Sequence, residues 1–516
     1  MAEVSQAAAG RGRPIDSATA WASRRPAAAL GAVLAYHLVV WTALPLLVCR
    51  NLQIDLAEGL ALGKEWQLGY WKHPPLPWMI EDLAYRLVGD VHVVYVLGPL
   101  AAAIAMYVVW RFARELVPPT TALIAAVALE GLHYYNFSVP KFGHDHVIMF
   151  MWPLTGWCFY RALMHRRRAD WILAGVLLAL CFWAKYTAFV FAATLGLFLL
   201  LDRDARKVWL TPGPYVMAVA FLVVLAPHLW WLVASDFQPF RYVEARAVHA
   251  TRWFQYVTFP IQWIGGQLLA LSPAIALLAI VLWPRGGRME PARNADPFAR
   301  RIVMALAFGP FVITTIVALV LGRLPIALWG FPLWSFAPLA VLMWFEPQPR
   351  RFAAFARLLL VILVAWPLIY AAVELFEPFL RDRPKATQFP GRLLAETITR
   401  QWREKTGRPL RYVGGAEVGT GPGEFAANNV AVYSPDRPHV IVHGNPALSA
   451  WIDMADVDRQ GAVLVWQPAP GASGLPANIR ATFPRAELQP PLTLPRQTLH
   501  AVSPDIVHYA FVPPLP

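Results

Sequence analysis

The stretch "ADWILAGVLLALCFWAKYTAFVFAATLGLFLLL", residues Ala169–Leu201, is apolar almost end to end. It can be one long tilted helix or two short ones turning at "AKYTAF". The flanks discriminate: "RRR" (166–168) precedes it and "RDARK" (203–207) follows it. A single crossing would leave these basic clusters on opposite sides of a membrane. Two crossings keep both inside, as the positive-inside rule requires. A hairpin is therefore expected. It places Lys185 near the outer face but recessed below it, because each arm is shorter than the roughly 20 residues a full span needs.

The same test extends along the chain. Eleven spans are expected, near 27–49, 93–112, 119–137, 146–164, 169–185, 187–201, 213–233, 262–284, 302–321, 327–345 and 357–377. This alternation puts all the basic clusters (Arg11–Arg25, Arg111 and Arg114, Arg161–Arg168, Arg203–Lys207, Arg285–Arg301, Arg350–Arg357) on one side, the cytoplasm. Composition agrees. The 516 residues are 57% hydrophobic and 15% charged, with a mean hydropathy of +0.44, whereas soluble domains are about 45–50% apolar and about a quarter charged. The net charge of +13 sits in short arginine clusters between apolar runs. It speaks for membrane orientation and against nucleic-acid binding. Cys49, Cys158 and Cys181 lie in or beside apolar runs without metal-ligand spacing.

The expected fold class is an all-α polytopic membrane protein of about 11 transmembrane helices with a C-terminal soluble α/β domain. Residues 1–26 form a basic, flexible cytoplasmic tail leading into an uncleaved first span. Residues 27–377 form the membrane domain, with outer-face loops at 50–92, 138–146 and 234–261. An odd span count leaves residues 378–516 outside. There "RPLRYVGG", "HVIVHG" (439–444) and "AVLVWQ" (462–467) pattern as short strands and "FPGRLLAETITRQWREK" as an amphipathic helix. "VGGAEVGTGPGEF" (413–425) lacks the Gly-Lys-Ser/Thr ending of a phosphate loop and reads as turns.

Four outward segments hold ionisable residues. In "IDLAEGLALGKEWQLGYWKHPPLPW" (54–78), Asp55 and Glu58 share a helix face. Leu56, Leu60, Leu62 and Trp66 would lay that helix on the membrane interface. Trp71 and Trp78 suit headgroup depth, with Lys72 and His73 held between them. The bland alternative is an ordinary solvated loop. "SVPKFGHDHVIMFMW" (138–152) offers His144, Asp145 and His146 where a span starts. His-x-His is a metal pattern, but in a helix the two rings point to different faces and a site needs more ligands than the sequence supplies. Asp145 also suits an N-cap. Lys185-Tyr186 sits at the hairpin turn, where an ionisable group is functional by default and snorkelling to the interface is the alternative. "SDFQPFRYVEARAVHATRW" (235–253), with Arg246, patterns as an interfacial anchor helix.

Carboxylates, cations and aromatic rings converging at an outer membrane surface suit a phosphorylated lipid. Lys72 or Lys185 would neutralise its phosphate. A carboxylate would take a proton from an attacking hydroxyl. The chemistry is sugar transfer from a lipid phosphate. It requires no cofactor, because a lysine stabilises the leaving monophosphate; a divalent metal is compatible but not indicated.

The quoted first loop resembles the signature of the bacterial dolichyl-phosphate-mannose–protein mannosyltransferase family (family 39 of the C-type glycosyltransferases), to which lipid A aminoarabinose transferases are related. "KFGHDHVIMFMWPLTGWCFYRAL" and "WILAGVLLALCFWAKYTAF" resemble further family segments, as does, more weakly, "WGFPLWSFAPLAVL". The resemblance spans roughly residues 30–350. It implies the C-type fold, a polyprenyl-phosphate sugar donor, a lipid, glycan or protein acceptor, and inversion. It also implies Asp55 as leading catalytic carboxylate, Asp145 as the second loop acid, and Lys72 and Lys185 as phosphate contacts. Relatives carry an adjacent Asp-Glu pair, whereas Leu56 follows Asp55 here, so Glu58 matches less well. Tyr70, His73, His144, His146, Tyr186 and Arg246 are the expected substrate contacts. The rival is a transporter or flippase of a lipid-linked sugar, which would need polar groups at mid-membrane and broken spans in paired halves.

Overall fold

The computed structural model describes residues 14–284, 289–292, 296–381, 385–416, 424–468, 474–496, 498 and 502–515. Residues 417–423 of the Gly-rich segment and the first part of the basic tail lie outside them. The chain opens with helix α1 (Pro14–Arg24) and the long apolar α2 (Pro26–Val48). Part of the tail expected to be flexible is thus helical. A loop region follows, with α3 (Ile54–Gly63) and α4 (Leu76–Val88). Next come α5 (Val94–Ala113), α6 (Pro119–Val127), α7 (His144–His165), α8 (Arg168–Ala184), α9 (Ala188–Leu201) and α10 (Gly213–Ala234). The short α11 (Gln238–Arg246) precedes α12 (Gln255–Leu282), α13 (Pro297–Leu321), α14 (Ala337–Trp344) and α15 (Phe352–Arg381).

Among the described residues, seven helices are long and apolar enough to cross a membrane: α2, α5, α7, α10, α12, α13 and α15. Leu222 and Val223 on α10 and Leu268 and Leu269 on α12 are exposed, as a lipid-facing surface requires. The opening stretch does fold as two helices. α8 packs between α7 and α10. It stops at Lys185, whose backbone is extended (φ −160°, ψ 138°), before α9 begins at Ala188.

Two expected spans are not continuous helices. The apolar run 119–137 is α-helical only to Val127, then continues as 3-10 turns at Ala128–Gly131 and His133–Tyr135. The run 327–345 is a 3-10 turn (Ala327–Gly330), an irregular stretch, and then α14. Backbone without helical bonding is tolerated at membrane depth only when buried in protein. Here the two irregular stretches face each other. The Tyr134 hydroxyl lies 2.9 Å from both Gln267 Oε1 and the Ala327 carbonyl, and Tyr135 Oη lies 3.0 Å from Ser335 Oγ. Gly131 permits the approach of α12: a Cβ there would sit 2.5 Å from Ala274 Cα.

The C-terminal domain is a small mixed sheet with helices. α16 (Gly391–Thr406), α17 (Phe425–Tyr433), α18 (Met454–Gln460) and α19 (Ala477–Thr482) surround β1 (Tyr412–Gly414), β2 (His439–Ile441), β3 (Ala462–Trp466), β4 (Glu487–Leu488), β5 (Leu492–Leu494) and β6 (Asp505–Val512). Strand order is β2-β1-β3-β6-β4, with β5 also on β6. The three strands legible in the sequence, β1 to β3, pair in parallel, and β6 adds antiparallel with Leu464 opposite Ala510.

This domain sits on the first loop. α17 packs against α3. Lys64 Nζ donates to the carbonyls of Arg437 and Pro438, each at 2.6 Å. His439 Nδ1 lies 2.9 Å from Glu65 Oε1, and the Arg437 guanidinium stacks 4.1 Å from the Tyr85 ring. Leu56, Leu60 and Leu62 are therefore inside the protein, 0–1% exposed. The expectation that α3 lies on the membrane interface is corrected, because its apolar face is covered by protein. Trp78, 2% exposed, is likewise packed inside the protein.

At the same seam Glu424 accepts a hydrogen bond from the backbone N–H of His443. Burial pushes its carboxyl up to about 8, with Glu58 adding to the rise and Lys72 opposing it. A folded-state value above the unfolded one near 4.5 means that the folded chain holds this proton while the unfolded chain has lost it. The group's contribution is present at low pH and lost as pH climbs from about 4.5 to about 8. Glu424→Gln should flatten this slope: thermal unfolding of the detergent-solubilised chain should show the variant gaining on the wild type between pH 5 and pH 8. Parallel pH profiles would count against a protonated Glu424.

Candidate active site

Four segments build one cavity. The start of α3 brings Asp55 and Glu58. The chain between α3 and α4 brings His73, and α4 brings Trp78. The irregular segment before α7 brings Ser138 and Lys141, and the first turn of α7 brings His144, Asp145 and His146. Lys185 enters from the break between α8 and α9, and Leu328 and Phe331 from the second irregular stretch. The cavity opens to the outside on one side.

Its charges are arranged in a pattern, to which Lys72 belongs through Glu58 although it does not itself line the cavity. Lys72 Nζ donates to Glu58 Oε2 at 2.6 Å, with both side chains largely buried. Burial pushes Glu58 up, and the Lys72 ammonium offsets only part of the rise. Burial opposes the Lys72 charge, but the Glu58 carboxylate outweighs it and holds the lysine protonated. Lys185 Nζ lies 2.6 Å from both oxygens of Asp145. This pairing replaces the N-cap alternative, since Gly143 holds the cap position and Asp145 lies inside the helix. Two carboxylates are thus neutralised by two lysines. Asp55, exposed to the cavity, has no ion-pair partner among the described residues, and neither does Lys141. Lys141 was invisible to sequence reasoning because no helical or strand period governs "SVPKFG".

The histidines wall the cavity. His73 packs against His144 with 4.0 Å between ring centres and meets Trp78 edge-on at 5.9 Å. Burial pulls its pKa well below the usual imidazole range, and His144 and Lys72 push it further down. His144 Nε2 lies 3.3 Å from the Pro74 carbonyl and His146 Nε2 lies 3.2 Å from the Ser138 carbonyl. Both rings thus tie one cavity segment to another. Among the described residues, no group of three or more His, Cys, Asp or Glu is arranged to hold a metal ion.

Three expected contacts sit elsewhere. The Tyr70 hydroxyl donates to the Leu62 carbonyl at 3.0 Å, and the ring packs edge-on against Trp78. Tyr186 bonds His228 Nε2 at 3.2 Å, and His228 Nδ1 in turn donates to the Leu68 carbonyl at 2.7 Å. Arg246 is exposed on α11 and stacks over Tyr242, whose ring meets Trp71. These three brace or roof the site without lining it. Glu81, also missed in the sequence, lies wholly buried against Gly59, one helical turn from Asp55 on α3. Burial and the neighbouring Asp55 and Glu58 push its carboxyl well up.

Residues 72–231 match the family model described as dolichyl-phosphate-mannose-protein mannosyltransferase. A curated relative, the lipopolysaccharide core galacturonosyltransferase RgtB of Rhizobium johnstonii, is 24% identical over 312 residues, covering 57% of this chain and 61% of its own length. The crystal structure of ArnT from Cupriavidus metallidurans bound to undecaprenyl phosphate superposes with a TM-score of 0.57 at 13% identity, covering 93% of this chain and 98% of that one. Its apo form gives the same TM-score at 12% identity, covering 95% and 100%. The chain is a multi-pass membrane protein with the fold of the C-type glycosyltransferases, similar in its first half to the dolichyl-phosphate-mannose-protein mannosyltransferase family.

Proposed function

We propose that the chain transfers a sugar from a polyprenyl-phosphate donor to a hydroxyl of a cell-envelope acceptor, with inversion at the anomeric carbon. The reaction takes place on the outer face of the cytoplasmic membrane, with the N-terminus cytoplasmic and the C-terminal domain outside. The observation that carries this reading is the charge pattern of the cavity. Two lysine–carboxylate pairs flank one unpaired carboxylate, Asp55, and one unpaired ammonium, Lys141. An anionic group and a proton-donating nucleophile are the complementary ligands. ArnT, captured with undecaprenyl phosphate, supports a polyprenyl phosphate here. The lipopolysaccharide-core activity named for RgtB supports a glycolipid acceptor.

In this mechanism the donor phosphate enters between Lys141 and the Lys72 and Lys185 pairs. The acceptor hydroxyl approaches the anomeric carbon from the side opposite the phosphate. Asp55 accepts the hydroxyl proton as the new C–O bond forms and the C–O bond to phosphate breaks. Lys185 and Lys141 stabilise the charge that collects on the departing polyprenyl phosphate. Asp145 holds Lys185 in place, and Glu58 does the same for Lys72. The flippase alternative finds one feature in its favour, a mid-membrane ionisable pair, His37–Glu130. That pair is 0% exposed and sealed from the cavity, so it offers a headgroup no path.

Asp55→Asn should lower the turnover number by about 10²–10⁴-fold in a reconstituted assay with a polyprenyl-phosphate sugar, while the protein remains monodisperse. Wild-type turnover would remove Asp55 from the proton-transfer role. Lys72→Ala and Lys141→Ala should each raise the donor KM more than they lower the melting temperature. An unchanged donor KM for both would leave Lys185 as the phosphate contact.

A further inference from the structure

His37 lies half-way along α2, and its Nδ1 is 2.9 Å from Oε1 of Glu130, with both side chains 0% exposed. An acid and an imidazole inside the apolar body of a membrane protein are costly to keep. Replacing such a pair with apolar side chains is often neutral or stabilising, so fold stability alone is a poor reason for it. Its position gives another reason. Glu130 stands where the apolar run 119–137, which by composition should continue as one helix, instead unwinds. Its carboxylate is clamped from outside the segment by His37. Its carbonyl accepts from Asn136 Nδ2, closing the unwound loop on itself. Downstream in the same segment Ser138 Oγ meets His133 Nε2 at 3.1 Å, and Ser138 and Lys141 then line the cavity.

We propose that the His37–Glu130 pair is a positioning device: it holds the segment 128–141 in its unwound form, and so sets Ser138 and Lys141 at the donor end of the cavity. Without the clamp, the competing conformation is the continuation of α6 as a regular helix. That form satisfies its own backbone bonds and turns residues 138 and 141 to other faces. The proposal rests on the reading of the cavity as a donor site, and adds a residue pair outside it on which donor binding depends.

The test compares Glu130→Leu, His37→Leu and the double variant with Glu130→Gln, whose amide oxygen still accepts from the imidazole. Donor KM, turnover number and melting temperature are measured on the full-length chain in nanodiscs with a polyprenyl-phosphate sugar. The leucine variants should raise donor KM by roughly 10- to 100-fold, as expected for a displaced binding group, with turnover at saturation changed less. The double variant should be no worse than either single one and should melt near the wild type. Glu130→Gln should restore donor KM. A folded double variant with wild-type KM overturns the proposal, as does a loss of active fraction at unchanged KM. A second arm does not depend on the donor reading. Lys141→Cys, labelled with an impermeant maleimide against a control lacking that substitution, should change its labelling rate several-fold when Glu130→Leu is added; an unaltered rate overturns the proposal even if the wild type proves to use another substrate.

Discussion

The Lys185 ammonium sits 2.6 Å from both oxygens of Asp145, and it gets there from the break between α8 and α9. Charge beside lipid must be matched by charge or left in water. The membrane domain solves this by bringing its polar ends to one place. α7 begins, and α8 stops, at the same depth, so the acid at one helix start and the base at the other helix end neutralise each other. The Glu58–Lys72 pair repeats the arrangement on the first loop. Once both pairs are made, the cavity's remaining chemistry belongs to Asp55 and Lys141.

The C-terminal domain completes this arrangement rather than hanging from it. It covers the apolar face of α3 and locks the following turn through Lys64, Glu65 and Tyr85. Burial pulls the Lys64 ammonium down to about 7, the mark of a lysine taken out of water to hold two carbonyls. At the seam His443 stacks edge-on with Trp71, one residue from Lys72. The domain thus reaches the edge of the cavity while supplying none of its lining among the described residues, which suits a part that fixes the loop.

Legibility followed period and charge. The break within Ala169–Leu201 was readable because the arginine-rich flanks at its two ends argue against one continuous span. Strands β1 to β3 were readable because their apolar runs are bounded by turn residues. The unwinding after Val127 was not, since an apolar run with one Glu and one Gly has the composition of a span. The partners that meet the break come from elsewhere in the chain: His37 on α2, Gln267 and Ala274 on α12, and Ala327 and Ser335 in the facing irregular stretch. The orientation of α3 was misjudged for a related reason: an apolar face shows that something covers it, and lipid and protein satisfy that demand equally. Strand β6 escaped because "DIVHYAFV" gains its place by pairing with β3 and β4 at long range.

By itself the sequence determined that this is a multi-pass membrane protein, where its basic clusters fall, and which carboxylates and lysines stand at span ends, because hydropathy and charge act locally along the chain. Which of those groups pair, and which remain unpaired, was decided only in three dimensions. Asp55, Asp145, Lys141 and Lys185 come from four separate segments. Which of their charges are matched, and which are left without a partner, is set only once packing has brought them around one cavity.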